Sequence, residues 1–171
     1  MTARGTEAGS VGCSRMTRKD LAAAGSVAAI GLAAGLVGTL VMSLGQRAEM
    51  GLSGRSSSHT PAKAIEAVSG VDVPDGYQDR VSLWTHLGYG TALGLGLAAL
   101  AKVPEPARGT IFGTGAWLGG AGLQTALGVN DPPTRWKRAE LAIDLLHHAV
   151  YAGAAAATFS GLTSLMRPRD D

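Results

Sequence analysis

"LAAAGSVAAIGLAAGLVGTLVMSLGQ", residues 21–46, decides the fold. It runs for 26 residues without an Asp, Glu, Lys or Arg. A membrane-spanning helix needs roughly 20 mostly apolar residues, because each adds about 1.5 Å across a hydrocarbon core of about 30 Å. Three further charge-free stretches follow, at 81–101, 109–130 and 145–166. A soluble amphipathic helix carries charges along its outer face, and these four carry none. The stretches predict an all-α, four-transmembrane-helix bundle, with helices over about 21–50, 81–101, 109–129 and 134–166.

The flanking segments fit the same plan. Residues 1–20 are small, polar and basic, and read as a disordered tail; 167–171 form a short C-terminal tail. Met16 is followed by "TRKD" and then the first apolar run, which makes it an alternative start to Met1. That run is too long for a cleaved signal peptide. Cys13 is the single cysteine, so no internal disulfide forms. A net charge of +2 argues against a nucleic-acid partner; the partner implied is the lipid bilayer. Four short helices make a thin bundle, which leaves room for a homodimer.

The longest loop, 47–80, contains Thr60-Pro61 followed by "AKAIEAV". Thr60 as N-cap and Pro61 at the first helical position predict a short helix. Ala62, Ile65 and Val68 fall on one of its faces, as in a helix lying at the membrane interface. "KVPEPAR" at 102–108 is a two-proline turn, "NDPP" at 130–133 stops the third helix, and Trp136, Lys137 and Arg138 form an interfacial anchor. With the N-terminus inside, Lys and Arg divide eight inside to seven outside. The basic cluster before the first helix then places both termini in the cytoplasm.

Two patterns suggest that the bundle is a pair of duplicated helical hairpins. Gly31, Gly35 and Gly38 in the first helix match Gly115, Gly119 and Gly122 in the third, and His86 with Tyr89 matches His148 with Tyr151. Small residues four apart let membrane helices approach closely. The first and third helices are therefore expected to pack through these glycines.

The polar residues within the apolar segments carry any chemistry. Asp144, His147, His148 and Tyr151 fall at i, i+3, i+4 and i+7, on one helical face. Thr39, Ser43, Gln46 and Glu49 make a second stripe on the first helix, and Gln124 lies on the third. Glu49, His86, Tyr89, Asp144, His147, His148 and Tyr151 belong to one half of the bilayer, on the side of the long loop. Charged groups in lipid are costly, face inward and pair with one another. Four readings remain open: interhelical hydrogen bonds alone; a path for protons, ions or a small solute; a haem or divalent-metal site using His86 and His148; and a hydrolase with Ser43 near His86. No catalytic motif such as HExxH is present, so the balance is against an enzyme and no cofactor is required.

"GLVGTLVMSLGQRAEMGLSGR" at 35–55, "HLGYG" at 86–90 and "HHAVYAG" at 147–153 resemble the YagU-like group of small bacterial inner-membrane proteins. The resemblance covers most of residues 21–160. It rests on Thr39 and Met42 in the Gly-rich first helix and on His86, Tyr89 and Gly90. The second copy departs from the pattern, with Tyr151-Ala152-Gly153. The resemblance implies a four-helix fold in a bacterial inner membrane and brings no activity with it.

Overall fold

The computed structural model describes residues 17–166. The expectations for residues 1–16, Cys13 and the C-terminal tail therefore fall outside the described residues, whereas residues 17–20, expected in the disordered tail, cap and begin the first helix. Among those described, the chain is all α-helical, with short 3-10 turns and no strand. Helix α1 spans Arg18–Ser53 and α2 Thr60–Ser69; α3 is Gln78–Leu93 and α4 Leu95–Ala99; α5 is Ala107–Ala126 and α6 Arg138–Leu165.

Each boundary has a local cause. Thr17 and Asp20 form a capping box at the start of α1: Thr17 Oγ1 accepts from the Asp20 N–H, and the Asp20 carboxylate accepts from the Thr17 N–H at 2.8 Å. Gly54 ends α1 in the left-handed region, at φ 71°, where a side chain would be strained. α2 starts one residue earlier than the sequence implies: Thr60 is its first residue, and His59 occupies the cap position without a side-chain bond. Thr134 lies in a 3-10 turn, Pro133–Arg135, so α6 begins at Arg138. There the Glu140 carboxylate accepts from the Lys137 N–H.

The second expected helix is broken. At Gly94 the N–H turns to the Thr91 carbonyl (3.1 Å) instead of that of Gly90. The Tyr151 hydroxyl of α6 donates to the Gly90 carbonyl at 2.7 Å, so the acceptor that the break releases is satisfied across the bundle.

The packing differs from the expectation for the glycines. α1 packs on α6, α3 and α4; α5 packs on α6 and α4; α2 packs on α3. α1 and α5 share no substantial contact. A Cβ on Gly31 would lie 2.6 Å from the Gly94 carbonyl oxygen, and one on Gly35 would lie 2.6 Å from that of Gly90. Gly38 faces Tyr151 and Ala155. By contrast, Gly115, Gly119 and Gly122 meet nothing within 4 Å. The glycine seam joins α1 to α3 and α6, and the α5 triplet faces outward. The predicted pairing of the two hairpins is unequal. Two duplicated hairpins would pair α3 and α4 with α5 as closely as α1 pairs with α6, and only the short α4 makes that contact.

The core is built from small residues around a few large ones: Ala34, Ala116, Ala152 and Ala155 with Leu97, Phe112 and Phe159. It seals the end of the bundle near α4. Most of the larger aliphatic side chains point outward, among them Leu36, Leu40 and Leu44 of α1, Leu118 of α5 and Leu146 of α6.

Among the described residues one helix, α1, is long and apolar enough to cross a membrane. The other charge-free stretches do not reach that standard, because freedom from charge is not the same as hydropathy. The break at Gly94 leaves α3 with 16 residues. α5 is diluted by Gly, Thr, Trp and Gln, and α6 carries Glu140, Asp144 and two histidines in its first half.

Candidate functional site: a polar cavity at the loop end

Where the core ends, the helices diverge. α1, α3, α5 and α6 surround a cavity of about 1120 Å³, and α2 lies against it through Thr60, Pro61, Ala64, Ile65 and Val68. The face of α2 that the sequence assigns to a membrane interface is thus partly occupied: Ala62 is buried against α3, with its N–H bonded to Ser82 Oγ at 3.3 Å, and Ile65 and Val68 line the cavity.

Helical spacing explains the lining. On α6, Asp144, His147, His148 and Tyr151 share a face and all line the cavity. On α1, Thr39, Ser43 and Gln46 do so; on α3, His86 and Tyr89; on α5, Gln124. Glu49 is the member of the expected cluster that does not line the cavity. Its carboxylate bonds Arg55 at 2.7 Å, with His147 Nε2 3.8 Å away. Lying beyond the charge-free span, Glu49 is held down to about 2 by the Arg55 guanidinium.

The polar groups differ in how they are satisfied. Asp144 accepts from the indole N–H of Trp117 at 2.8 Å, and its carboxylate lies 3.4 Å from His148 Nδ1. The same Nδ1 lies 2.9 Å from the Asp144 backbone carbonyl. A carbonyl only accepts, so in this contact Nδ1 is the donor. Asp144 thus holds the His148 ring through its main chain as well as its carboxylate. Tyr151 is consumed by the Gly90 carbonyl, whereas Tyr89 is 39% exposed, so the two His-x-x-Tyr copies do different work.

Three buried atoms have no hydrogen-bond partner: Ser43 Oγ, His86 Nε2 and His147 Nε2. All three residues line the cavity. His147 is the most enclosed, with 7% of its side chain exposed. Because neither Ser43 Oγ nor His86 Nε2 has a partner, they do not bond one another, and the nucleophile–base pair of a hydrolase is not formed. Among the described residues, no group of three His, Cys, Asp or Glu side chains is placed to hold a metal ion.

Sequence reasoning missed three residues. Trp117, in a charge-free stretch, supplies the donor to Asp144; a buried indole N–H usually needs an acceptor, which was the available signal. Asp79, at the start of α3, ties down the loop before α2 by accepting from Ser57 (3.1 Å) and pairing with His59 (2.9 Å). Hydrogen bonding from His59 and then Ser57 lowers its carboxyl below the ordinary value. At the sealed end, Arg108 is buried, bonded to Glu105 (2.9 Å) and Ser160 (2.8 Å), and stacked over Phe159. The sequence had placed it in an exposed turn.

Fold and site together define a helical protein with one strongly apolar helix and a polar, partly enclosed cavity. No protein-family model, no curated protein and no solved structure matches the chain.

Proposed function

We propose that the protein is a four-span integral membrane protein whose cavity binds a small polar solute, with the histidines able to exchange protons with it. The membrane reading is supported by an inverted distribution of side chains. Soluble proteins bury their large aliphatic residues. Here the packed interior is mostly Gly and Ala around a few large side chains, while Leu and Val cover the outside of α1. Close packing of small residues is what joins helices in lipid, where no hydrophobic force draws them together. The spans are the four charge-free stretches, with α3 and α4 together making the second. Both termini then lie on one side, the cytoplasmic side by the basic N-terminal cluster. Reporter fusions at residues 60 and 105 are expected on opposite sides; the same side for both would refute four spans.

The observation that carries the binding reading is the trio of unpartnered atoms, Ser43 Oγ, His86 Nε2 and His147 Nε2, around one cavity. A buried polar atom left unsatisfied costs about 1–3 kcal/mol, and native proteins hold few of them. Three around one cavity are accounted for by an occupant that supplies their partners. A purely structural cluster predicts the opposite, because its polar groups would bond one another. Thermal unfolding in mild detergent separates the two. Ser43→Ala removes a group that bonds nothing within the protein, and His147→Phe one whose nearest charged neighbour is the Glu49 carboxylate at 3.8 Å, so each variant is expected to melt close to wild type. A fall of several degrees in both would mean that these side chains stabilise the bundle, and the binding reading would fail.

A further inference from the structure

We infer that the occupant is a small organic anion, with its acid group at the arginines of the cavity mouth and a hydrogen-bonding body reaching Ser43, His86 and His147. The inference rests on the binding reading above and adds the sign of the charge.

The acids and bases lining the cavity are not equally satisfied. Every lining carboxylate has a partner. Asp79 holds His59 and Ser57, Glu140 holds Lys137, and Asp144 holds Trp117 and His148. Of the lining arginines, Arg55 is paired with Glu49. Arg47 of α1 and Arg80 of α3 are exposed, line the same cavity and form no ion pair among the described residues. The unspent charge of the cavity is therefore positive and is supplied by two guanidinium groups on different helices, which is the arrangement that grips a carboxylate or phosphate through paired N–H groups.

Helix geometry sets the rest of the ligand. Ser43 lies four residues deeper than Arg47, about 6 Å along α1, and His86 six residues deeper than Arg80, about 9 Å along α3. Between the two levels the walls are mixed, with Gln46 of α1 and Ser82, Leu83 and Thr85 of α3. A fitting molecule has an acid at one end and a hydroxyl or carbonyl at the other end, spaced by a short body. A hydroxyl there satisfies an imidazole acceptor and the Ser43 oxygen together. Benzoate-like and short phosphate-ester compounds share this chemistry.

The test uses the full chain in dodecylmaltoside at constant ionic strength and three probes that differ in charge: 4-hydroxybenzoate, 4-hydroxybenzamide and 4-hydroxybenzylamine. A ligand that binds the folded state raises the melting temperature in a saturable way. The largest rise is expected with 4-hydroxybenzoate and none with the amine. Arg47→Gln and Arg80→Gln are each expected to weaken 4-hydroxybenzoate binding about tenfold, the factor a single charge-assisted bond supplies. Benzoate is added as a fourth probe that lacks the hydroxyl, and Ser43→Ala is expected to abolish the advantage of 4-hydroxybenzoate over it. If the amide or the amine stabilises as strongly as the acid, the anion assignment is wrong and the binding reading survives. If the arginine variants bind 4-hydroxybenzoate as well as wild type, those arginines serve lipid headgroups and the assignment is again wrong. If none of the probes shifts the melting temperature, the binding reading falls and takes this inference with it.

Discussion

Replacing Gly35 with alanine tests the packing of this bundle most directly. A methyl group there would lie 2.6 Å from the Gly90 carbonyl oxygen and 2.7 Å from that of Thr91. Ordinary carbon–oxygen contact begins near 3.4 Å, so α1 and α3 must separate by about 0.8 Å, the difference between 3.4 and 2.6. The atoms in the way are backbone, and no rotamer change can move them aside. Overpacking of this kind costs about 1–3 kcal/mol, and an atom pair loses a quarter to a half of its attraction when a gap of 0.5–1 Å opens. Alanine returns part of this, because glycine is about 1 kcal/mol the poorer helix former. The net expectation is a loss of up to about 2 kcal/mol.

Gly119 supplies the control, since a methyl group there meets nothing within 4 Å. Only the propensity gain remains, so Gly119→Ala is expected to stabilise by up to about 1 kcal/mol. The two substitutions are chemically identical and opposite in predicted sign. Thermal unfolding in mild detergent reads both, at about 2–4 °C per kcal/mol for a chain of this size. Wild-type stability in Gly35→Ala, or a loss in Gly119→Ala comparable to that at Gly35, would refute the assignment of the glycine seam to α1 and α3.

Two further outcomes follow from side chains at the ends of the bundle. Arg55 lowers the Glu49 carboxyl from its ordinary 4.5 to about 2; a depressed carboxylate stabilises fully above the ordinary value and loses that contribution as pH falls through the folded one. Melting temperature should therefore decline between about pH 4.5 and pH 2, and Glu49→Gln should flatten that part of the profile; an unchanged slope would show that Glu49 is not the responsible group. At the sealed end, Arg108→Leu leaves the Glu105 carboxylate with only the Gly109 N–H (3.1 Å) and Ser160 Oγ (3.4 Å); breaking a largely buried pair costs about 3–5 kcal/mol, less here because Glu105 is partly exposed and keeps these donors. A loss smaller than about 1 kcal/mol in detergent unfolding would contradict the buried clasp.

The parts of the site that were legible in the sequence are those governed by helical spacing. Asp144, His147, His148 and Tyr151 share a face because i, i+3, i+4 and i+7 always do, and Thr39, Ser43 and Gln46 follow the same rule on α1. Depth was legible as well: α1 ends where α3 and α6 begin, so these residues had to fall at one level. Glycine partners were not legible. A Gly-xxx-Gly pattern marks a face capable of close approach but carries no information about which helix approaches it. Gly115, Gly119 and Gly122 satisfy the pattern and meet nothing. Long-range hydrogen bonds were hidden for a similar reason. Trp117 lies 27 positions from Asp144 and Arg108 lies 52 from Ser160; no local period connects them.

The break at Gly94 links the packing to the cavity. Gly94 lies directly against the Gly31 carbonyl of α1, an approach that only a residue without Cβ permits. At that point the helix gives up one four-step bond, and the Gly90 carbonyl turns to Tyr151. Tyr151 is thereby pinned between the sealed core, where its ring lies 5.6 Å from that of Phe112, and the cavity it lines. One turn earlier on α6 lies His147, and one turn earlier on α3 lies His86, each with an unpartnered nitrogen. The closest contacts of α1 and α3 thus fix the floor of the cavity, and the polar groups begin one turn above it. A tight seam of glycine below and a divergence of helices above is how a thin bundle of mostly small residues can hold imidazoles in place without bonding them to one another.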